Sequence, residues 1–294
     1  MFMSNKEFKV KIIKDASLKN FCTFKIGGTA NFVFIVENTH TLIQVCKFCT
    51  ENNIKFKVIG FGANLLFDDE GFDGAIIVNK SKKVKFGFLS VKSDSGVSVG
   101  SLINKCIKRN CSGLENFAGI PSTVGGAVVN SLGAFNSNFS DLVDYVVCFN
   151  PDTNKIVKIK ANDCKFGYRT SIFKTCNLVI LWVKLRFKFK RNKDIKNTMN
   201  SCLKTKQQTQ PTNQLSAGSV FKRGTIVPAL EIDKLGLKGT RIGDAQISTK
   251  HAGFIINLGS ATSQDVKNLI NLINIKILEN YGCTLETEIE FVNK

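Results

Sequence analysis

The chain has 294 residues, 43% hydrophobic and 22% charged, which excludes wholesale disorder; its 23 Gly lack a triplet period and its 10 Cys are spread out, which excludes collagen-like and disulfide-scaffold classes. Lysine and arginine total 41 against 23 acidic residues, a net charge of +18 that raises the question of a nucleic-acid partner. Only six of the 41 are Arg, the residue that base readout and phosphate forks favour, so no nucleic acid is expected, and the positive field suits anionic small molecules such as nucleotides.

In chain order, the opening MFMSNKEFKVKIIKD alternates charged with apolar residues and shows no export signal, which predicts a cytoplasmic chain with reduced thiols. Asn31–Val36 reads as a strand, Thr39 as the cap of a helix through about Glu51, and Lys55–Ile59 as a strand entering the turn Gly60-Phe61-Gly62. Strands are expected at Ala75–Asn79, Lys83–Phe88 and Val97–Val99, then a helix near Ser101–Arg109. Tyr145–Phe149, Lys155–Lys160 and Leu178–Phe187 look like paired strands, the first two joined by the Pro151-Asp152 turn. Asn192–Lys206 is polar and helix-compatible, and Gln207–Ser219 is rich in Gln, Thr, Asn and Pro. Thr262 or Ser263 caps a helix whose Val266, Leu269, Ile270, Ile273 and Ile277 recur at helical spacing to Tyr281-Gly282, and the strand Thr284–Val292 follows. Adjacent strand pairs among the helices predict an α+β fold rather than a doubly wound sheet. The densest apolar run, Leu178–Val183, falls far short of the roughly 18–20 residues of a membrane span, so no membrane partner is expected.

Two glycine-rich turns stand out: Gly60, Gly62, Ala63, Asn64 and Leu65 in the first, and Gly119, Ile120, Pro121, Ser122, Thr123, Gly125, Gly126 and Ala127 in the second. Backbone without Cβ atoms can approach a bulky anion, and consecutive N–H groups can form a nest for phosphate oxygens. Neither turn has the P-loop Lys-Ser/Thr or a GxGxxG register opening a helix, so together they suggest a dinucleotide pyrophosphate held by a non-Rossmann fold. Cys46 and Cys49 form a CxxC in mid-helix with no second pair, which reads as core packing. With only His40 and His251, a histidine metal cluster is not expected.

From Asn20 to Phe291 the chain resembles the MurB family, the UDP-N-acetylenolpyruvoylglucosamine reductases. The resemblance rests on Thr23-Phe24-Lys25-Ile26-Gly27-Gly28, the Gly60–Leu66 turn, GIPSTVGGAVVNSLGAF (Gly119–Phe135), Gly167-Tyr168-Arg169-Thr170-Ser171, Gln210-Pro211, SAGSVFKR (Ser216–Arg223), LKGTRIGDAQISTKHAGFIIN (Leu237–Asn257) and Leu285-Glu286-Thr287-Glu288. It implies the FAD-binding fold of the vanillyl-alcohol-oxidase (PCMH) type, with FAD-binding subdomains at 1–78 and 79–190 and a substrate-binding α+β domain at 191–294. The short segment between Ser171 and the strand at Leu178 matches the family's compact second class.

By the same resemblance the cofactor is FAD, noncovalent because neither glycine turn holds His or Cys, with NADPH as hydride source. The chemistry implied is hydride delivery from reduced FAD to the vinyl carbon of an enolpyruvyl UDP-sugar, followed by protonation at carbon. The family assigns catalysis to Arg169 at the substrate carboxylate, Ser219 as proton donor and Glu288 as the group that orients or polarises. Period-two alternation leaves Glu286 and Glu288 equivalent from the residues alone. Lys206, Lys222 and His251 are candidate substrate contacts, and a monomer is expected. The chain departs from the family in having Arg223-Gly224 for Asn-Pro, Asp244 and Ser122 for frequent glycines, and Lys206 for an Arg. A flavin oxidase of the same fold and a basic binding module without catalysis remain as alternative readings.

Overall fold

The computed structural model describes residues 10–294; the first nine residues of the segment read above as lacking an export signal lie outside the described residues. Two compact units make up the described chain. One comprises the residues before Lys14 with Phe32–Gly60 and Gly74–Thr205, and the other comprises Lys14–Asn31, Phe61–Asp73 and Lys206–Lys294.

The first unit is organised by a five-stranded antiparallel sheet in the order Lys155–Lys160, Val143–Asn150, Val179–Arg186, Ser90–Asp94, Val84–Gly87. Alternation along these strands feeds two cores. Val146, Cys148, Ile180, Val183 and Leu185 pack with Leu102, Ile103 and Cys106 of helix Val99–Ile107. Val147, Phe149, Val179 and Leu181 pack with Leu42, Val45, Cys46 and Cys49 of helix Thr39–Glu51 and with Ala75 and Ile77. A four-stranded sheet ordered Lys11–Ser17, Thr29–Val36, Phe72–Asn79, Phe56–Ile59 carries those last two residues.

In the second unit, Leu215–Ser219, Phe254–Asn257, Ala245–Ile247 and Arg241–Ile242 form an antiparallel sheet, and Glu290–Val292 pairs in parallel with Leu65–Phe67. Helix Ser263–Tyr281 buries Val266, Leu269, Ile270, Ile273 and Ile277, the apolar stripe expected from its spacing. Thr262 and Asp265 form a capping box, and the Asp69 carboxylate accepts from Ser263 N (2.9 Å), Ser263 Oγ (2.8 Å) and Gln264 N (3.1 Å). Gly282 ends the helix at φ +66°, where a side chain would be strained.

Several expectations shift. Helix Thr39–Glu51 is capped by Asn38, whose side chain accepts from Thr41 N at 2.8 Å, while Thr39 is its first residue. Val97–Val99 is not a strand, because Ser98 caps the helix that starts at Val99; the strand of this region is Ser90–Asp94. The final strand is only Glu290–Val292, preceded by an isolated Phe221–Thr287 bridge.

Cys46 and Cys49 are fully buried in the core, and burial pushes both thiols up, Cys49 to about 12. Brief iodoacetamide labelling of the folded protein near neutral pH should therefore modify the exposed Cys176 and spare this pair, as read by peptide mass spectrometry.

Candidate active site

In the first unit, strand Phe56–Ile59 runs parallel to Phe72–Asn79 and delivers Gly60 at its end. A Cβ there would lie 2.4 Å from Thr123 Oγ1, so the two glycine turns meet at this point and Gly60 is dictated by the close approach. Thr123 caps helix Val124–Val129, its Oγ1 accepting from Gly126 N at 3.2 Å. Val124 N donates to Val97 O, Gly125 N to Ser95 O and Ala127 N to Thr123 O, at 2.8–2.9 Å, so the donors of that first turn are satisfied within the chain. The second turn is thus built for packing more than for an N–H nest.

Arg169 sits on a tight turn in which Gly167 and Thr170 exchange backbone hydrogen bonds at 3.1 and 3.3 Å. Its φ is +57°, a left-handed conformation costing an L-residue about 1–2 kcal/mol. The guanidinium Nη2 donates to Gly133 O at 3.0 Å, and Ser171 Oγ donates to Val129 O at 2.7 Å, which fastens the turn to the end of the second glycine segment. Three residues before Gly133, Asn130 donates through Nδ2 to Gly126 O at 3.3 Å, while its buried Oδ1 has no hydrogen-bond partner among the described residues. Sequence reasoning passed over Asn130; its only signal was membership of the Gly119–Phe135 segment.

A Cβ on Gly133 would lie 2.6 Å from Arg169 Nη1. Gly133→Ala should leave the fold intact, because the end of a flexible side chain can give way, yet displace the guanidinium. Turnover should fall by about 100-fold if Arg169 works on the reacting group, since a 1 Å misplacement costs that much; steady-state kinetics beside circular dichroism checks it.

In the second unit, the remainder of the first turn, Phe61–Asn64, presents four consecutive backbone N–H groups with no acceptor among the described residues. Gly62 has φ +62°, and a Cβ there would lie 2.4 Å from Phe21 O. A run of unspent donors on a turn that excludes side chains fits an anionic cofactor such as a dinucleotide. Asn64 then links this turn to the far end of the chain: its carbonyl accepts from Glu290 N at 2.9 Å and its Nδ2 donates to Glu288 O at 3.0 Å.

Ser219 ends strand Leu215–Ser219 and pairs with Phe254 across a register shift after Ser216. Gly218 lies within that irregularity at φ +82° with open space around its missing Cβ, so glycine is needed there for conformation, and the bulge re-aims Ser219. One residue on, Val220 O accepts from Glu288 N at 2.7 Å, so Ser219 and Glu288 lie on neighbouring, hydrogen-bonded segments.

The two glutamates differ in surroundings. The Glu286 side chain is 73% exposed and ion-paired with Lys222 Nζ, and Lys222 N donates to Glu286 O at 2.9 Å. Glu288 is half-buried beside Val220. Lys206 is buried. His251 Nδ1 accepts from Gly253 N at 3.1 Å; burial, then Lys238 and Arg223, lowers its pKa, leaving a neutral ring whose Nε2–H can donate.

Comparison with known proteins matches the chain in two parts. A family model described as "FAD binding domain" matches residues 30–159, and one described as "UDP-N-acetylenolpyruvoylglucosamine reductase, C-terminal domain" matches residues 210–292. The chain is 37% identical over 293 residues to UDP-N-acetylenolpyruvoylglucosamine reductase of Caldicellulosiruptor saccharolyticus, covering 98% of this chain and 94% of that protein. It is 36% identical over 288 residues to the Chlamydia abortus protein of the same name, covering 97% and 96%. The crystal structure of UDP-N-acetylenolpyruvylglucosamine reductase (MurB) from Thermus caldophilus superposes with a TM-score of 0.81 at 29% identity, over 96% of this chain and 98% of that one. Similarity of this extent, spanning both the glycine-turn half and the segments bearing Ser219 and Glu288, makes the chain a member of the UDP-N-acetylenolpyruvoylglucosamine reductase (MurB) family.

Proposed function

We propose that the chain reduces UDP-N-acetyl-enolpyruvoylglucosamine to UDP-N-acetylmuramate with electrons from NADPH, using Arg169, Ser219 and Glu288 as its working side chains. The activity is that of a UDP-N-acetylenolpyruvoylglucosamine reductase in peptidoglycan precursor synthesis, an FAD-dependent oxidoreductase. FAD, when bound, supplies the hydride that adds to the vinyl carbon. The observation that carries the reading lies in the second unit, where Asn64 of a turn rich in unspent N–H donors is bonded to the carbonyl of Glu288, itself bonded to the residue after Ser219.

Addition of hydride leaves negative charge on the adjacent carbon and its carboxylate. A guanidinium at that carboxylate is worth more as the charge develops than before, and Arg169, held in a strained turn, has the planar fork for it. Ser219 Oγ–H then gives its proton to carbon, an exacting task for a hydroxyl that a strongly basic, positioned acceptor makes feasible. Glu288 orients that hydroxyl or polarises the acceptor. FAD, when bound, would be held noncovalently, with Gly60, Phe61–Asn64 and Leu65 and also Gly119–Thr123 and Gly125–Ala127 as the residues proposed to contact it. Lys206, Lys222 and His251 serve the nucleotide sugar, His251 as a neutral donor. In this reading residues 1–78 and 79–190 are FAD-binding subdomains, 191–294 is the substrate-binding domain, and the protein works as a cytoplasmic monomer. Among the described residues no helix is long and apolar enough to cross a membrane.

Paired variants test the assignment. Glu288→Gln should lower turnover by about 100-fold or more, as expected for loss of a group assisting proton transfer. Glu286→Gln, which removes only an exposed ion-pair partner, should change it little. Mass spectrometry of the product, heavier than substrate by two hydrogen atoms, reports the reaction itself; equal effects of the two variants would remove Glu288 from its role.

A further inference from the structure

The five-stranded sheet of the first unit carries a feature that reduction of a nucleotide sugar does not use. Residues directly opposite one another across a sheet share a face. The registers align Lys160 with Tyr145, Tyr145 with Lys184, Lys184 with Lys92, and Lys92 with Lys85. One row across all five strands therefore reads Lys-Tyr-Lys-Lys-Lys. With strands about 4.8 Å apart, it spans roughly 19 Å.

Like charges directly opposite are destabilising, so such a row needs an offsetting use. Within the fold it is relieved only in part. Lys92 Nζ lies 3.3 Å from the Trp182 ring centroid, Lys158, two residues from Lys160 on the same face, lies 3.9 Å from that of Tyr145, and Lys184 Nζ donates to Ser90 Oγ at 2.9 Å. Lys85, Lys158 and Lys160 are exposed. Among the described residues, acidic groups by the row include Asp94, which is buried and whose carboxyl is pushed up by that burial, and Asp144, which is paired with Arg186.

At one end of the row, the hairpin joining Val84–Gly87 to Ser90–Asp94 places Phe88 at its tip, 94% exposed. Lys184 Nζ lies 4.0 Å from where a Cβ on Gly87, the residue before Phe88, would be. The row runs beside the part of this sheet face that packs on helix Thr39–Glu51, and its exposed lysines with the projecting phenyl ring match an anionic bilayer: ammonium groups meet lipid phosphates and the ring enters the headgroup region. Single-stranded nucleic acid fits less well. It binds by stacking bases on open aromatic faces, but Trp182 and Tyr145 are covered by Lys92 and Lys158 and pack against the core.

We propose that the face bearing Lys85, Lys92, Lys184 and Lys160, with Phe88 at its rim, docks the protein peripherally on an anionic lipid bilayer surface.

Sedimentation of the full-length, FAD-loaded protein with phosphatidylglycerol-containing vesicles, against vesicles of phosphatidylcholine alone, tests this. Binding to the anionic vesicles is expected, falling as salt rises. Lys85→Ala combined with Lys160→Ala should weaken it about 25-fold, and Phe88→Ser several-fold, while reductase activity in vesicle-free solution is unchanged. Equal binding to both vesicle types, or no loss in either variant, would overturn the proposal. So would retention of a single-stranded oligonucleotide in place of the vesicles, with Phe88→Ser without effect.

Discussion

Ser219→Ala is expected to leave reduction of the flavin by NADPH nearly unchanged while slowing its reoxidation by the enolpyruvyl nucleotide about 10²–10⁴-fold. The asymmetry follows from what the hydroxyl is asked to do: it supplies a proton to carbon only after the substrate has accepted hydride. Ser219 sits at the end of its strand beyond a bulge and a left-handed Gly218, a geometry that aims one side chain at the expense of regular pairing. The backbone groups that hold it, Val220 N to Gly253 O at 2.9 Å and Glu288 N to Val220 O at 2.7 Å, are untouched by removing Oγ. Rapid-mixing absorbance separates the two half-reactions. Equal slowing of both would make Ser219 a structural residue, and little slowing of either would pass the proton to another donor.

Gly62→Ala is expected to produce a folded protein that loses FAD. Alanine at φ +62° costs about 1–2 kcal/mol, and its Cβ would press within 2.4 Å of Phe21 O and 2.8 Å of Cys22 Cα, so the turn must open. Opening re-aims the N–H groups of Phe61–Asn64, and with each 1.4 kcal/mol worth tenfold, FAD affinity should fall at least about tenfold. Flavin-to-protein absorbance after gel filtration measures the loss, with circular dichroism to confirm folding. Full flavin retention would mean that these donors do not hold the cofactor. Gly126→Ala provides the contrast, since its Cβ would meet only Ser122 Oγ and Thr123 Oγ1, both at 3.5 Å.

Where the apolar period was strong, the sequence was readable. Helix Ser263–Tyr281 carries its stripe, its cap and its terminal glycine in plain order, and the paired strands at Val143–Asn150, Lys155–Lys160 and Val179–Arg186 alternate or run apolar as strands do. Ser90–Asp94 escaped because only Val91 among its five residues is apolar; buried Ser93 and Asp94 and half-buried Lys92 give no alternation to read. Leu215–Ser219 escaped for a similar reason, a small-residue strand interrupted by its bulge.

The site divides along the same line. The residues proposed for the site, the glycine turns, Arg169, Ser219 and Glu288, stand out by motif. Their physical reasons do not: Gly60 is glycine because Thr123 crosses it, Arg169 occupies a conformation usually left to glycine, and Gly133 leaves room for a guanidinium. Glu286 and Glu288, equivalent by alternation, differ in exposure, in the ion pair of Glu286 to Lys222 and in the backbone bond of Glu288 to Val220. Apart from the Arg169 dihedral, each is a long-range contact, invisible to local pattern.

Anaerobic titration of the purified protein, followed by visible absorbance, shows whether it is an FAD enzyme that passes electrons from NADPH to an enolpyruvyl nucleotide sugar. A yellow protein with flavin bands is expected, bleached by NADPH and restored on adding UDP-N-acetyl-enolpyruvoylglucosamine. A colourless protein, or a bleached flavin that this substrate leaves reduced, would contradict it.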